Sequence, residues 1–395
     1  MAALNRRTAL ALGAASILAR PAGAETITLP FGNGERPIVK YPGKRPLIGL
    51  TSRPPQLETP FGVYGEGLIT PNDAFFVRYH LADLPLTIDP DTYRLEISGQ
   101  VDKPLSLSLA DLKQMPATEL VAVNQCSGNG RGLFEPRVAG GQAANGLMGN
   151  ARWTGVSLRA VLDRAGVKAG GVQVSFDGLD GPVAEKTPDF VKALDLDHAR
   201  DNEVMLAWAM NGEDLPFLNG YPLRLVVPGY YGTYWVKHLK TIAVLDKPLA
   251  NFWMATAYRI PDNDCNCVTP GIAPAKTKPI GRYKVRSFIT SVDAGASLKP
   301  GPMTLSGIAF DGGAGIKSVE VSADGGKAWQ PATLGADLGK YSFRGWSAPI
   351  TLATGDHALQ VRATSNAGET QPGEQPWNPS GYLRNLIETT KVTVA

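Results

Sequence analysis

The spacing of hydrophobic residues changes near Arg282, which indicates a domain boundary there, and the length of 395 residues predicts two or three domains. Before this boundary, residues 158–166 have a helical apolar spacing that ends at a glycine, whereas residues 172–176 alternate as a strand does. After it, short alternating segments such as 318–322 and 359–363 are followed by glycine-containing turns. The sequence therefore predicts an α+β domain followed by a β-sandwich of about 110 residues.

Local composition places the boundaries of these domains. Residues 60–260 form the mixed α+β block, and residues 25–59 precede it as an N-terminal extension. Residues 261–281 carry four prolines and no hydrophobic periodicity, which indicates an extended linker. Residues 282–395 form the predicted sandwich. The apolar content of the chain is ample for a core in each domain.

The first 24 residues predict an export signal. Asn5-Arg6-Arg7-Thr8 precedes an apolar run over residues 9–19, which is too short to span a bilayer, and Ala22-Gly23-Ala24 is typical of a cleavage site. Adjacent arginines favour the twin-arginine route, which exports folded proteins. We therefore expect a periplasmic protein without a membrane span, whose mature chain begins near Glu25.

The charge balance argues against a nucleic-acid partner. Loss of the signal removes Arg6, Arg7 and Arg20 and no acidic residue, so that Lys and Arg fall from 39 to 36 against 36 Asp and Glu. The net charge of +3 therefore belongs to the signal. The mature chain is neutral and has no basic run, unlike proteins that bind phosphate backbones.

Cys126 is the most informative of the three cysteines. It stands in the glycine-rich loop Asn124–Arg131, directly after an apolar, strand-like run, where a thiol can bind a soft metal or attack a substrate. A buried structural cysteine is the alternative. Cys265 and Cys267 are separated by one residue, and Cα atoms that far apart along an extended chain exceed the usual disulfide distance. We therefore expect these two to be free thiols.

Four segments, in this order, resemble the sulfite oxidase family of molybdenum enzymes: Ala74–His80, Asn124–Arg131, Asn219–Gly229 and Trp235–Lys237. The resemblance extends from about residue 61 to the C-terminus. It implies that molybdenum is held by the two dithiolene sulfurs of molybdopterin and by Cys126, because soft thiolates suit such a metal. It also implies that the C-terminal sandwich is immunoglobulin-like and mediates homodimerisation.

The same resemblance implies roles for further side chains. Residues of the cofactor site would be Phe76, Arg78, His80, Asp180, Asn219, Arg224 and Lys237. Asn219 stands where the vertebrate enzymes have a histidine, and an amide cannot carry that residue's charge. Asp180 follows Gly178 closely and is equally typical of a turn. Residues that bind the substrate oxyanion would be Arg78, Arg131 and Tyr258.

Arg224 also stands out without the resemblance. It lies between Leu223 and the apolar residues 225–227, where an unpaired charge would be costly. A surface ion pair is the alternative interpretation. The planar guanidinium suits a phosphate, which a neutral pocket could not hold buried. Taken with the resemblance, which aligns Arg224 with a cofactor-binding residue of the family, this favours Arg224 as a ligand of the cofactor phosphate.

The family resemblance implies oxidation of sulfite to sulfate, which leaves two electrons to be exported. No Cys-x-x-Cys-His motif for haem attachment occurs in the chain. We therefore expect no haem here and a separate c-type cytochrome as the electron acceptor. Two alternatives remain: a sulfane dehydrogenase acting on carrier-bound sulfur, and, from a different class, a metal-free binding protein on the same fold.

Overall fold

The structure, a computed structural model, describes residues 25–29 and 34–395. The predicted export signal, residues 1–24, lies outside the described residues. The described chain is mostly sheet, although the predicted class was mixed α+β. Its helices are short: α1 (Leu109–Lys113), α2 (Leu158–Ala165), α3 (Leu196–Ala199) and α4 (Phe252–Ala255).

Helix α2 confirms the helical prediction for residues 158–166. Its buried side chains are Leu158, Val161, Leu162 and Ala165, which recur at the spacing of one helical face. The helix ends at Gly166, whose φ of +73° is accessible to glycine at little cost. The N–H of Gly166 donates to the carbonyls of the last turn, as in other glycine-terminated helices.

The predicted N-terminal extension forms a sheet with the first strand of the mixed block. The five strands pair in chain order and antiparallel: β1 (Thr26–Leu29), β2 (Gly34–Val39), β3 (Leu47–Ser52), β4 (Pro55–Glu58) and β5 (Val77–Arg78). A small core of Leu47, Leu57, Val77 and Tyr79 holds this sheet together. Because Gln56 pairs with Arg78, the extension fixes the backbone of a predicted site residue.

Two further sheets make up most of the mixed block. Their strands are β6 (Leu95–Gly99), β7 (Leu105–Leu107), β8 (Ala117–Gln125), β9 (Met148–Ser157), β10 (Gln173–Gly178), β11 (Lys192–Asp195), β12 (Met205–Met210), β13 (Glu213–Asp214), β14 (Arg224–Val226) and β15 (Leu239–Leu245). One sheet has the order β11-β10-β15-β6-β7, in which β6 and β15 are parallel. The other has the order β13-β12-β9-β8, with β14 paired to β12. Strand β8 contains the strand-like run before Cys126, and β10 confirms the predicted strand from residue 173, one residue after its predicted start.

The proline-rich linker contains two short strands that pair with each other, β16 (Arg259–Pro261) and β17 (Thr277–Pro279). Between them, Cys265 and Cys267 form a disulfide, so the expectation of two free thiols was wrong. The expectation assumed an extended chain. Asn266 instead adopts a left-handed φ of +51°, and this turn brings the two Cα atoms to 5.1 Å, within disulfide range.

The C-terminal region is a sandwich of two sheets around one apolar core. Its strands are β18 (Arg286–Ile289), β19 (Ser297–Leu298), β20 (Gly301–Phe310), β21 (Ile316–Ser322), β22 (Gln330–Pro331), β23 (Thr333–Leu334), β24 (Arg344–Leu352), β25 (Gly355–Ser365) and β26 (Glu388–Val394). The sheets have the orders β18-β20-β24-β23 and β19-β26-β25-β21-β22. Side chains from both sheets fill the space between them, including Leu305, Val321, Ala348 and Val361. Strands β21 and β25 confirm the alternating segments predicted there.

The mixed block and the sandwich share a hydrophobic core. Phe288, Phe310 and Phe343 of the sandwich belong to the same cluster of buried residues as the β8 and β9 side chains. A backbone hydrogen bond of 2.9 Å also joins Val123 N–H to the Tyr341 carbonyl. The sandwich therefore packs directly behind β8, the strand that leads into the Cys126 loop.

Over residues 25–29 and 34–395, every helix is too short or too polar to cross a bilayer.

Candidate active site

A cavity lies where β5, β8 and β14 come together. It is lined by Phe75, Phe76, Arg78, His80, Asn124, Cys126, Ser127, Asn219, Arg224, Gly232, Thr233, Trp235, Lys237 and Tyr258. The fold thus brings together all of the site residues expected from the sequence except Arg131 and Asp180. These residues come from segments up to 182 positions apart, from Phe76 to Tyr258.

Cys126 is held at the cavity wall by its backbone. Its N–H donates to the Leu147 carbonyl at 2.9 Å, and its carbonyl accepts from the Asn129 N–H at 3.0 Å. The Asn129 side chain braces the loop further, because its Oδ1 accepts from the Leu147 N–H at 2.9 Å. The thiol is half-buried, and it is the free cysteine of the described residues. A fixed thiol that faces a cavity is suited to metal binding.

The buried side chains of Lys44 and Arg224 and the half-buried side chain of Lys237 lie on one side of the cavity, and we call these three residues the cation group. Arg224 and Lys237 line the cavity, whereas Lys44 contacts the lining residue Asn219. Within the described residues, none of the three forms an ion pair with a carboxylate. Burial lowers the pKa of Arg224 to about 9 and that of Lys44 to about 7. Burial, followed by the charge of Arg224, lowers the pKa of Lys237 well below its usual value. Unpaired charges of this kind are costly unless an anion joins them.

Arg224 is the most enclosed member of the cation group. It is 2% exposed, and its guanidinium lies 4.9 Å from the Trp153 ring and 5.6 Å from the Trp235 ring. Nη1 donates to the Asn219 carbonyl at 2.7 Å, whereas Nε has no hydrogen-bond partner within the described chain. Aromatic faces compensate part of the charge but leave a donor for a ligand.

Lys237 connects the cation group to the neighbouring strand. Its Nζ donates to the Arg78 carbonyl at 2.8 Å and lies 3.0 Å from the centroid of the Tyr79 ring. Asp180 is buried behind it and does not line the cavity. Burial raises the pKa of Asp180 to about 6, an effect that the charge of Lys237 opposes. Asp180 therefore acts on the cavity through Lys237.

Lys44 fixes the orientation of Asn219. Lys44 Nζ can only donate, and it donates to Asn219 Oδ1 at 2.5 Å, as well as to the carbonyls of Asn72 and Phe75. The Phe76 carbonyl can only accept, and it accepts from Asn219 Nδ2 at 3.0 Å. Asn219 therefore offers an N–H donor at the cavity. Lys44 supplies nearby the positive charge that an amide lacks.

Polar atoms without hydrogen-bond partners indicate that this cavity binds a polar ligand. Asn124 Oδ1, Ser127 Oγ, Thr233 Oγ1 and Arg224 Nε are buried without a hydrogen-bond partner in the described chain, and all four residues line the cavity. Buried polar atoms are normally satisfied. Donors and acceptors beside three cations match a group that combines a phosphate with polar ring atoms, which is the chemistry of molybdopterin. The residues present therefore fit the predicted cofactor.

A second set of side chains, which we call the tyrosine group, consists of Arg78, His80 and Tyr258. The Tyr258 hydroxyl lies 2.5 Å from His80 Nε2 and 3.5 Å from Arg78 Nη2. Burial raises the pKa of Tyr258 above its usual value, so that the phenol keeps its proton. Burial, followed by the charges of Arg78 and Lys237, lowers the pKa of His80 well below 6.5. The group therefore contains a neutral histidine, a phenol and one arginine.

Arg131 lies beside the cavity instead of lining it. Its Nε donates to the Ser380 carbonyl at 3.0 Å, and its guanidinium lies 4.9 Å from the Tyr382 ring. Gly140 packs against this guanidinium with a φ of +113°, a backbone conformation that favours glycine. Tyr382 also stacks on Tyr258, with ring centroids 5.7 Å apart. The C-terminal region thus holds both Arg131 and Tyr258.

Several cavity residues were missed by sequence reasoning. Ser127, Thr233 and Trp235 lie in or next to the segments that carried the resemblance, so proximity to Cys126 and Lys237 was an available signal. Lys44 had no such signal, because its contact with Asn219 joins residues 175 positions apart. Lysines are usually exposed, and only the fold shows that this one is buried.

Comparisons with known proteins agree with this geometry. The sequence matches an oxidoreductase molybdopterin binding domain over residues 81–253 and a Mo-co oxidoreductase dimerisation domain over residues 277–395. It is 34% identical to the mitochondrial sulfite oxidase of Macaca fascicularis, over 91% of this chain and 68% of that protein. It is 29% identical to the sulfite oxidase of Arabidopsis thaliana, over 90% of this chain and 96% of that protein.

A solved structure is also similar along nearly the whole chain. The sulfane dehydrogenase SoxCD from Paracoccus pantotrophus matches with a TM-score of 0.74 and 27% identity, over 96% of this chain and 94% of that chain. The predicted cofactor, molybdenum bound to molybdopterin, is confirmed by the matched binding domain and the sulfite oxidase relatives. The chain belongs to the sulfite oxidase family of molybdenum oxidoreductases.

Proposed function

We propose that this protein oxidises sulfite to sulfate in the periplasm and passes the electrons to a separate c-type cytochrome. The observation that carries the proposal is the placement of the tyrosine group beside Cys126 in one cavity. In the overall reaction, sulfite and water give sulfate, two protons and two electrons. When bound, the molybdenum cofactor supplies the oxygen atom and accepts the electron pair.

The cation group and Cys126 are the residues that would hold the cofactor. Arg224, Lys237 and the N–H of Asn219 would bind the phosphate and polar ring atoms, because they are the donors left without an anionic partner. Cys126 would provide the protein thiolate. The buried walls formed by Phe76 and Trp235 would exclude water from this part of the cavity.

The tyrosine group would bind the substrate oxyanion. Arg78 provides a positive charge that lines the cavity, and a charge-assisted hydrogen bond of this kind contributes about 1.5–3 kcal/mol. The phenol of Tyr258 donates to an acceptor, either His80 or an oxyanion oxygen. His80 is neutral and its Nε2 can accept a hydrogen bond from the phenol, so it can hold the tyrosine in place when no anion is present.

The export and assembly of the protein are part of the same proposal. Residues 1–24 would direct the folded protein through the twin-arginine route. The sandwich of residues 282–395, which we propose to be immunoglobulin-like, would join two copies into a homodimer, since this region matches a dimerisation domain. A transient contact with the cytochrome would carry single electrons away.

A sulfane dehydrogenase acting on carrier-bound sulfur is the second candidate. The similarity to SoxCD along 96% of the chain favours it. The position of Arg131 also favours this candidate. Of the two arginines predicted to bind the substrate, Arg78 lines the cavity and Arg131 does not, and a cavity with fewer lining cations is less selective for a small dianion.

Steady-state assays of the purified, cofactor-loaded enzyme separate the two candidates. We expect sulfite to reduce cytochrome c with a kcat/KM at least about tenfold above that for a protein-bound persulfide, a difference worth about 1.4 kcal/mol. A preference for the persulfide would replace the proposed function with the second candidate. Inactivity toward both substrates, with molybdenum present, would exclude both.

A further inference from the structure

Lys192 is a buried lysine behind the tyrosine group. It begins strand β11 and is 1% exposed. Its Nζ donates to the Trp253 carbonyl at 2.7 Å and lies 4.7 Å from the Tyr234 ring and 5.3 Å from the Tyr258 ring. Within the described residues, it forms no ion pair with a carboxylate. An unpaired cation in the interior is costly and calls for an explanation.

The groups around Lys192 are positive or neutral. Burial, followed by the charge of Arg259, lowers the pKa of Lys192 to about 7, so its charge is only partly present near neutral pH. The charge of Lys192 in turn contributes to the lowered pKa of His80. Tyr234 and Tyr258 present uncharged rings, because burial raises the pKa of both phenols.

The carboxylates on the elements packed against β11 are engaged elsewhere. On β10, Asp177 interacts mainly with Asp189 and Lys240. Asp195 at the end of β11 accepts from Gln173 Nε2, and Asp197 on α3 accepts from the His198 N–H. Helix α4 carries no ionisable side chain. The charge of Lys192 is therefore free to respond to an anion in the neighbouring cavity.

We propose that Lys192 is a positioning residue for the oxyanion: it holds the Trp253–Tyr258 segment and takes up a proton when an anion binds beside Tyr258. The inference rests on the proposed function, since it assumes that the tyrosine group binds sulfite and sulfate. An anion placed in the cavity favours the charged form of a nearby lysine. Competing proton acceptors are His80, whose protonation Arg78, Lys237 and Lys192 all oppose, and Lys44 and Lys237, whose pKa values burial also lowers. Substitution of Lys192 alone separates its contribution from theirs.

Proton uptake on sulfate binding tests this role directly. Sulfate is the probe because, unlike sulfite, it does not titrate near neutral pH. Calorimetric titrations of the oxidised, cofactor-loaded enzyme in two buffers of different ionisation enthalpy give the number of protons bound. For the wild type we expect uptake of about 0.5–0.9 proton at pH 8, where the free lysine is mostly neutral. At pH 6 the lysine is already charged, so we expect roughly none.

Two substitutions separate the charge from the packing. Lys192→Met should abolish the uptake and weaken sulfate binding at least about tenfold at pH 6, where the wild-type lysine is charged. Lys192→Arg should restore binding without proton uptake at pH 8, because arginine stays charged. Lys391→Met removes an exposed lysine from β26 in the sandwich and is the matched control; it should behave as the wild type.

These experiments distinguish failure of the role proposed for Lys192 from failure of the proposed sulfite oxidation. If the wild-type enzyme oxidises sulfite but binds sulfate without proton uptake, or if Lys192→Met keeps the full uptake, the role of Lys192 is wrong and the proposed function stands. If Lys192→Met lowers molybdenum content, Lys192→Arg with normal content decides the matter. An enzyme that does not oxidise sulfite contradicts the proposed function itself.

Discussion

The cation group and the tyrosine group lie at the same cavity but differ in how their polar atoms are paired. Lys44, Arg224 and Lys237 are buried or half-buried and form no ion pair with a carboxylate of the described residues, and polar atoms without a hydrogen-bond partner lie beside them. In the tyrosine group, Tyr258 and His80 satisfy each other. The first arrangement requires a permanent anionic guest. The second is complete without one, as suits a substrate that enters and leaves in every turnover.

Cys126 lines the cavity at which these two groups lie, and its substitution should cause the largest loss of turnover. Cys126→Ser should leave the cation group intact, so that molybdopterin still binds, while turnover falls by more than about 100-fold, beyond the loss typical of residues that only support a metal ligand. Serine is a harder and poorer donor to this metal. Pterin content and sulfite-dependent cytochrome c reduction are the two measurements. Near-wild-type turnover would remove Cys126 from the metal.

The other two cysteines provide the control for that experiment. Cys265 and Cys267 are bonded to each other in the linker and do not line the cavity. The double variant Cys265→Ser, Cys267→Ser should therefore keep its turnover and its cofactor. A loss comparable to that of Cys126→Ser would show that the linker disulfide supports the site.

Arg224→Met tests the cation group by itself. Loss of a charge-assisted contact to the phosphate should weaken cofactor binding by about 10- to 150-fold, equivalent to 1.5–3 kcal/mol. Removal of an unpaired buried charge should leave the free energy of unfolding of the cofactor-free protein unchanged or higher. Molybdenum analysis and denaturant unfolding give the two values. An Arg224→Met protein that is less stable without cofactor, yet still binds the cofactor normally, would contradict the assignment of the cation group to cofactor binding.

Arg78→Gln tests the tyrosine group in the same way. Here the cofactor content should stay near the wild-type level, while kcat/KM for sulfite falls by about tenfold to a few hundredfold, mostly through KM. Arg78 lines the cavity and donates hydrogen bonds to the Tyr79 carbonyl and the Tyr258 hydroxyl. Its substitution should therefore affect the tyrosine group more than the cation group. An unchanged kcat/KM would exclude Arg78 from substrate binding.

The smallest predicted effect is on the pH dependence of stability. Because burial lowers the pKa of His80, the folded protein leaves it neutral at a pH where the unfolded chain binds a proton. The free energy of unfolding should therefore fall as the pH drops below 6.5, with His80 accounting for a loss on the order of 1 kcal/mol between pH 7.5 and 5.5. Denaturant unfolding of the cofactor-free protein measures this.

Two variants assign that slope to a residue. His80→Gln should be less sensitive to this pH change than the wild type by the stated amount. His357→Gln, which alters a histidine of the sandwich, should keep the wild-type slope. Equal slopes for His80→Gln and the wild type would show that folding does not lower the pKa of His80.

Sequence patterns predicted those features that depend on local chemistry. Helix α2 followed from apolar spacing and Gly166, and the burial of Arg224 followed from its apolar neighbours. The resemblance brought in His80 and Tyr258, which no local pattern distinguishes. The contact between these two side chains joins residues that are 178 positions apart, so it depends on the tertiary fold.

The missed features depend on tertiary contacts or on a single backbone angle. Lys44 and Lys192 look like ordinary surface lysines in the sequence, and only packing shows that both are buried. The Cys265–Cys267 disulfide requires the left-handed Asn266, which an extended-chain argument cannot include. Arg131 was expected to face the substrate, but its contact with Ser380 depends on a domain that begins 150 residues later.

X-ray absorption at the molybdenum edge tests most directly whether Cys126 joins the two groups through one metal. The spectra of the wild-type enzyme and of Cys126→Ser, both loaded with cofactor, are compared for the number of sulfur atoms bound to molybdenum. We expect one sulfur more in the wild type than in Cys126→Ser, because the dithiolene sulfurs are common to both. The same number of sulfur ligands in both proteins would contradict the assignment of Cys126 as the protein ligand.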